Sequence, residues 1–150
     1  MSDTPAASSR RRSRVLVLQA LYETDTVHHD TSTTLEDGLE NNNLLKSDRE
    51  FAREVVLGVL ANREELDNII VSMAPSWPLS QMAVVDRNIL RFAIFEMTKW
   101  EKTKLIDAVD PQKVAINEAV ELAKRFGSEN SQKFVNGVLG SVHQEYVESK

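Results

Sequence analysis

Apolar residues recur at helical spacing along most of the chain. The clearest case is the segment 114–139, in which one apolar stripe precedes Gly127 and a second follows it. Asp110 and Pro111 suit the first turn of a helix, because an aspartate can cap it and a proline needs no N–H there. Gly127 is predicted to end this helix in a left-handed conformation, and Ser128 to cap the next one. The pattern therefore predicts a helical hairpin.

Five further helices are predicted upstream by the same spacing. The first two span about residues 10–24 and 35–43, and Ser47 and Asn62 open the next two, each with an acid three residues on. The fifth, about 80–100, is apolar on nearly all sides, which indicates a central helix covered by its neighbours. No alternating strand pattern is present. The predicted fold class is all-α, a compact bundle of about seven helices around the central one.

Four charged residues interrupt the apolar central helix, namely Asp86, Arg87, Arg91 and Glu96. Charges on a buried helix are rarely unpaired, so a network that braces the neighbouring helices is one interpretation and a general acid/base pair is the other. The chain has no cysteine and no Gly-rich phosphate loop, and the adjacent His28 and His29 lack a third ligand at a suitable spacing. We therefore expect no enzymatic activity, no metal and no cofactor. Trp77 is predicted to fill a gap in the core.

The overall composition is that of a soluble globular protein. Of 150 residues, 41% are hydrophobic and 27% are charged. No apolar run approaches the ~20 residues of a membrane span, and no secretory signal is recognisable. We expect residues 1–9 to be a disordered lead-in and residues 10–147 to form the folded domain of a cytoplasmic protein. The net charge of −5 argues against a general nucleic-acid binder.

Charge is distributed unevenly along the chain. Residues 1–22 carry four arginines and one aspartate, a net of +3, whereas residues 23–50 carry eight acids and two bases, a net of −6. The arginines are Arg10, Arg11, Arg12 and Arg14. The buried stripe of this helix is predicted to be Val15, Leu18, Leu21 and Tyr22, which puts Arg11, Arg12 and Arg14 mostly on or beside its exposed side. A basic arm that meets an anion and a solubilising tail both fit this asymmetry.

Several long runs of sequence resemble the NusB family of bacterial transcription antitermination factors. They are Arg10–Arg14 with Gln19–Tyr22, Asp86–Arg91 with Glu96, Val114–Lys124 and Lys133–Leu139. The resemblance implies an all-helical fold in two helical subdomains without catalytic activity. It also implies binding of boxA RNA together with NusE, a ribosomal protein of the small subunit, in an RNA polymerase antitermination complex that reads through terminators in rRNA operons.

The resemblance further implies roles for individual residues. RNA contacts are expected at Arg10, Arg11, Arg12, Arg14, Gln19, Glu129, Asn130, Lys133 and Phe134. Contacts with NusE are expected at Tyr22 and Asp86. Three of these residues also have a structural interpretation: Phe134 and Tyr22 can belong to the core, and Asp86 can belong to an ion pair. From the residues alone, both interpretations stay open.

Two other functions are compatible with the sequence. One is a NusB-like accessory domain of an rRNA cytosine methyltransferase, which would require a further α/β cofactor domain that this sequence does not contain. The other is a helical protein-interaction module without RNA binding. The family includes monomers and homodimers, and a homodimer that hides the arginines would be an autoinhibited store.

Overall fold

A computed structural model describes residues 5–27, 32–100 and 110–148. The helices are α1 (Pro5–Val27), α2 (Ser32–Asn41), α3 (Lys46–Ala61), α4 (Arg63–Met73), α5 (Val84–Thr98), α6 (Pro111–Phe126) and α7 (Ser131–Val142). A short 3₁₀ turn, Leu79–Gln81, precedes α5, and a π-helical segment, His143–Glu148, follows α7. The described part of the chain contains no strand. The predicted all-α fold with about seven helices is confirmed.

The chain divides into two compact units, residues 1–58 and 59–150. The first unit holds α1, α2 and most of α3. Its core is formed by apolar side chains from all three helices. They include Val17, Leu21, Leu39, Phe51 and Val55, none of which is more than 2% exposed. Burial of these side chains is the main stabilising contribution to a unit of this size.

The second unit is built around α5, and every residue of this helix from Asn88 to Met97 is buried. Helices α4, α6 and α7 all pack against α5. The Arg91 guanidinium donates to both carboxylate oxygens of Asp67 in α4, at 2.6 and 3.1 Å, and to the side chain of Asn88 at 3.0 Å. The prediction of a central helix is confirmed. Arg91 is braced by Asp67 of α4, which was not among the four charged residues of the predicted network on α5.

Several predicted helix boundaries are wrong. Helix α1 begins at Pro5 rather than near Arg10, and α2 begins at Ser32 rather than at residue 35. Helix α3 begins at Lys46, so Ser47 lies inside the helix instead of capping it. The helix begins earlier because the Leu45 carbonyl oxygen accepts hydrogen bonds from the N–H groups of Asp48 and Arg49, both at 3.0 Å.

The corner between α6 and α7 is closed by a serine rather than by a left-handed glycine. Gly127 has φ −88° and ψ −172°, an extended conformation. A Cβ at this position would overlap the Ser131 side chain and lie 2.7 Å from the Ala123 carbonyl oxygen. The Ser131 hydroxyl accepts a hydrogen bond from the Ser128 N–H at 2.8 Å. Gly127 is therefore needed for space, and its predicted left-handed conformation is wrong.

Asp110 caps α6 as predicted. One of its carboxylate oxygens accepts a hydrogen bond from the Gln112 N–H at 2.9 Å, and Pro111 occupies the first helical position.

Candidate nucleic-acid interface

The arginines in the N-terminal half of α1 fall into two sets, and one set is turned inward. Arg14 is only 4% exposed, and its guanidinium lies 5.1 Å from the centre of the Phe51 ring. Arg10 is ion-paired with the buried Asp48 and lies 4.1 Å from the same ring. Cations over an aromatic face beside an acid are stabilised in a partly desolvated site. The prediction that Arg14 lies on or beside the exposed side of α1 is wrong, and Arg10 is largely neutralised by its partner.

The other set faces outward. Arg11 and Gln19 are exposed. Arg12 is half-buried, and its Nη2 donates to the carbonyl oxygens of Asn42 and Asn43 at 3.2 and 3.3 Å. These two hydrogen bonds orient the guanidinium. This arrangement presents a cationic, hydrogen-bonding surface, which we call the α1 surface and define by Arg11, Arg12 and Gln19.

Tyr22 belongs to the outer side of α1. It is 42% exposed, so its predicted place on the buried stripe is wrong. Arg12, Gln19 and Tyr22 are separated by seven and three residues, which aligns them along one side of an α-helix. The buried stripe instead includes Ser13 and Val17. Ser13 is tolerated there because its hydroxyl donates to the Arg10 carbonyl oxygen at 2.6 Å.

The corner between α6 and α7 holds the remaining predicted RNA residues. Glu129, Asn130 and Lys133 are exposed, and Phe134 is half-buried. Asn130 occupies the N-cap position of α7, but its side chain makes no capping bond to the helix. Between residues 124 and 134 the bases Lys124, Arg125 and Lys133 face one acid, Glu129, so the local net charge is 3 − 1 = +2. We call this surface the α6–α7 corner and define it by residues 124–134.

Exposed aromatic rings accompany these charges. Phe126 is 37% exposed, and the guanidinium of Arg125 lies 4.8 Å from its ring centre. Phe134 contacts Trp77, with ring centroids 6.2 Å apart and planes inclined by 47°. Trp77 is 51% exposed, so the prediction that it fills a gap in the core is wrong. The signal was available in Pro75 and Pro78, which flank Trp77 and are typical of a surface bend.

The two predicted NusE contacts lie in different units. Tyr22 is in the first unit, on α1. Asp86 is in the second, in the first turn of α5, where it is 8% exposed. Its Oδ1 is buried and has no hydrogen-bond partner among the described residues. A large part of the Tyr22 side chain is therefore accessible to a partner protein, whereas very little of the Asp86 side chain is.

No arrangement suited to metal binding is found in the ranges that the structure describes, since no three His, Asp or Glu side chains there form a cluster. His28 and His29 lie outside those ranges. None of the described helices is long and apolar enough to cross a membrane.

Comparison with known proteins gives a consistent result. The NusB family model matches residues 11–144. The transcription antitermination protein NusB of Chloroflexus aggregans is 46% identical over 143 residues, covering 94% of this chain and 91% of that protein. The solved structure of T. maritima NusB is 35% identical, with a TM-score of 0.80 over 97% of this chain and 94% of that one.

A solved complex of the antitermination factors NusB and NusE with double-stranded RNA also matches. It is 24% identical, with a TM-score of 0.74 over 93% of this chain and 98% of that one, and this likeness shows the fold alone. The all-helical architecture, the family model covering most of the chain and the identity to curated relatives lead to one conclusion: this chain belongs to the NusB family.

Proposed function

We propose that this protein is a transcription antitermination factor. It binds boxA RNA together with the ribosomal protein NusE and supports read-through by RNA polymerase in rRNA operons. The proposal rests on membership of the NusB family together with one observation, the exposed cationic α1 surface on an otherwise acidic chain. The protein acts in the cytoplasm by binding and has no catalytic role.

The α1 surface is suited to the phosphates of an RNA strand. The guanidinium of an arginine presents a fork of donors that matches phosphate oxygens. Arg11 and Arg12 offer two such groups, and the amide of Gln19 adds a donor and an acceptor for sugar or base edges. Arg10 and Arg14 act as positioning residues, since they hold the N-terminal half of α1 against Phe51 and Asp48.

The α6–α7 corner is suited to the bases of a single strand. Lys133 supplies a cation, the half-buried Phe134 offers part of an aromatic face, and Glu129 and Asn130 offer acceptors and donors to base edges. Because Asn130 is uncharged, it does not repel the strand. Replacing Asn130 with aspartate is expected to weaken RNA binding. The isosteric exchange Glu129→Gln is expected to raise the affinity for RNA modestly or to leave it unchanged.

NusE is proposed to contact the outer side of α1 at Tyr22, because this is an aromatic residue left 42% exposed on a stripe with polar neighbours. Aromatic side chains that are exposed in one chain are frequent anchors of protein interfaces. Asp86 is proposed to take part in the same recognition, through rearrangement of its nearly buried carboxylate.

The function is tested by titrating fluorescent boxA RNA with the full chain at 50 mM salt, with and without NusE. Binding by the chain alone and tighter binding with NusE are expected. A Tyr22→Ala variant should lose the gain from NusE while keeping the affinity for RNA alone. If neither the chain nor its mixture with NusE binds boxA RNA, the proposal is wrong and a protein-interaction module remains. Gel filtration of the same samples reports whether a homodimer forms and whether RNA dissociates it.

A further inference from the structure

Trp77 is a large aromatic side chain that the second unit leaves at its surface. It is 51% exposed, in the bend between α4 and the 3₁₀ turn Leu79–Gln81. The bend is held by prolines at positions 75 and 78 and by a hydrogen bond from the Trp77 N–H to the Ala74 carbonyl oxygen at 3.0 Å. The backbone beneath the indole is therefore constrained, and the side chain projects from a stiff support.

The indole also has a lateral support. Its ring centroid is 6.2 Å from that of Phe134, and the two planes are inclined by 47°. This separation is within the range in which aromatic pairs attract one another. Phe134 is itself fixed in the first turn of α7, whose neighbouring Val135 is fully buried. The contact thus restricts the indole while about half of its surface stays accessible.

We propose that Trp77 is a base-stacking residue of the RNA-binding surface, and that an unpaired nucleobase lies on its exposed face beside Phe134. The inference rests on the RNA-binding function proposed above and adds a residue to it. Stacking on an aromatic platform requires a base that is free of a duplex, so the ligand at this point is single-stranded. Stacking tolerates any of the four bases, so Trp77 contributes affinity rather than sequence preference.

Charge favours a nucleic-acid strand over an apolar protein segment as the occupant. Lys133, which precedes Phe134 in α7, is exposed. The α6–α7 corner to which both belong carries a net charge of +2, and at its other end Arg125 lies over the exposed Phe126 ring. Aromatic rings interleaved with cations are typical of grooves that follow a single strand. An apolar protein partner would gain nothing from these cations.

The first experiment uses the intrinsic fluorescence of the indole. The chain has two tryptophans, Trp77 and Trp100. In a Trp100→Phe variant, Trp77 is the sole tryptophan, and a stacked base is expected to quench its emission. The titrant is a single-stranded boxA RNA oligonucleotide, and the same sequence annealed into a duplex is the comparison. Quenching by the single strand and little quenching by the duplex are expected. RNA binding without quenching would overturn the inference.

The second experiment compares substitutions at the same position. Trp77→Leu, which keeps apolar contact with Phe134 but removes the stacking face, should weaken binding of single-stranded RNA by about 5- to 150-fold. Trp77→Phe should retain most of the affinity. Neither change alters a cation, so the dependence of affinity on salt should stay as in the unaltered chain. Thermal unfolding followed by circular dichroism verifies that both variants are folded.

The outcomes separate this inference from the function on which it rests. Absence of RNA binding by the unaltered chain, with and without NusE, would overturn both. Normal RNA binding by Trp77→Leu would overturn only the stacking role. If Trp77→Leu weakens binding of NusE and leaves binding of RNA unchanged, the indole belongs to a protein contact, and the stacking role is again wrong.

Discussion

The division of the α1 arginines into an outer and an inner set predicts how RNA affinity depends on salt. Each phosphate contact to a single strand contributes about 0.7 to the slope of log affinity against log salt concentration. Four contacts would give a slope of about −2.8 from α1, a loss of about 50-fold between 50 and 200 mM salt. With Arg14 buried and Arg10 paired with Asp48, we expect phosphate contacts in α1 from Arg11 and Arg12 alone. The α1 contribution then falls to about −1.4, or about 7-fold over the same range.

Two variants distinguish the outer arginines of α1 from the inner ones. Arg11→Gln/Arg12→Gln should make the slope less negative by about 1.4. It should lower the free energy of unfolding by about 1 kcal/mol, because the hydrogen bonds from Arg12 to Asn42 and Asn43 are lost. Arg14→Gln should leave the slope unchanged and lower the free energy of unfolding by about 2 kcal/mol, because it removes a desolvated cation from the face of Phe51. Fluorescence anisotropy at four salt concentrations gives the slopes, and urea unfolding gives the stability.

A matched control is available in the same unit. Arg53, on α3, is a partly exposed arginine bound to Glu36 through two hydrogen bonds of 2.7 Å. Arg53→Gln changes the net charge as Arg14→Gln does, and it should leave the slope unaltered. The reasoning is refuted if Arg14→Gln reduces the slope by about 0.7 with no loss of stability, because Arg14 would then be an outward-facing phosphate ligand.

Three further predictions concern stability and titration. Gly140→Ala should raise the free energy of unfolding by about 0.5–1 kcal/mol, because a Cβ there meets nothing within 4 Å and glycine is a weak helix former. Gly127→Ala should lower it by about 1–3 kcal/mol, since its Cβ would overlap Ser131; chemical denaturation measures both. The hydrogen bonds from Arg53 lower the pKa of Glu36, so this pair stabilises the fold above the ordinary glutamate pKa and loses that effect as pH falls through the lowered value. An NMR titration of Arg53→Gln should show the pKa of Glu36 returning upward, and an unchanged pKa would contradict the pairing.

Helical periodicity was sufficient to predict the architecture of the second unit. The apolar character of residues 80–100 placed α5 at the centre, and the two stripes about Gly127 predicted α6 and α7. These features are local, since each depends on the spacing of side chains within one helix. The closure of the corner was not predicted, because the contact of Ser131 with Ser128 competes with glycine capping and has no distinct sequence pattern.

The orientation of α1 could not be predicted by counting apolar residues. Its inner side includes two arginines, Arg10 and Arg14, that are stabilised by partners distant in the sequence. Asp48 lies 38 residues beyond Arg10 and Phe51 lies 37 residues beyond Arg14, so this site forms only in the folded unit. Because the apolar pattern treats every arginine as exposed, the predicted buried side of α1 was rotated about the helix axis and wrongly included Tyr22. A buried cation becomes predictable only when its acid and its aromatic partner are both known.

The small electrostatic contribution of α1 has a consequence for how RNA is selected. A slope of about −1.4 means that the two phosphate contacts proposed for α1 give only weak binding at physiological salt. The chain as a whole, with its net charge of −5, opposes other approaches of a strand. Useful affinity therefore requires contacts that do not depend on charge. A stacked base contributes about 1–3 kcal/mol, a factor of about 5 to 150, and is available only from unpaired RNA. The sparse cations and the exposed aromatic rings thus favour a single strand over duplex RNA, and they leave a role for NusE in raising the affinity further.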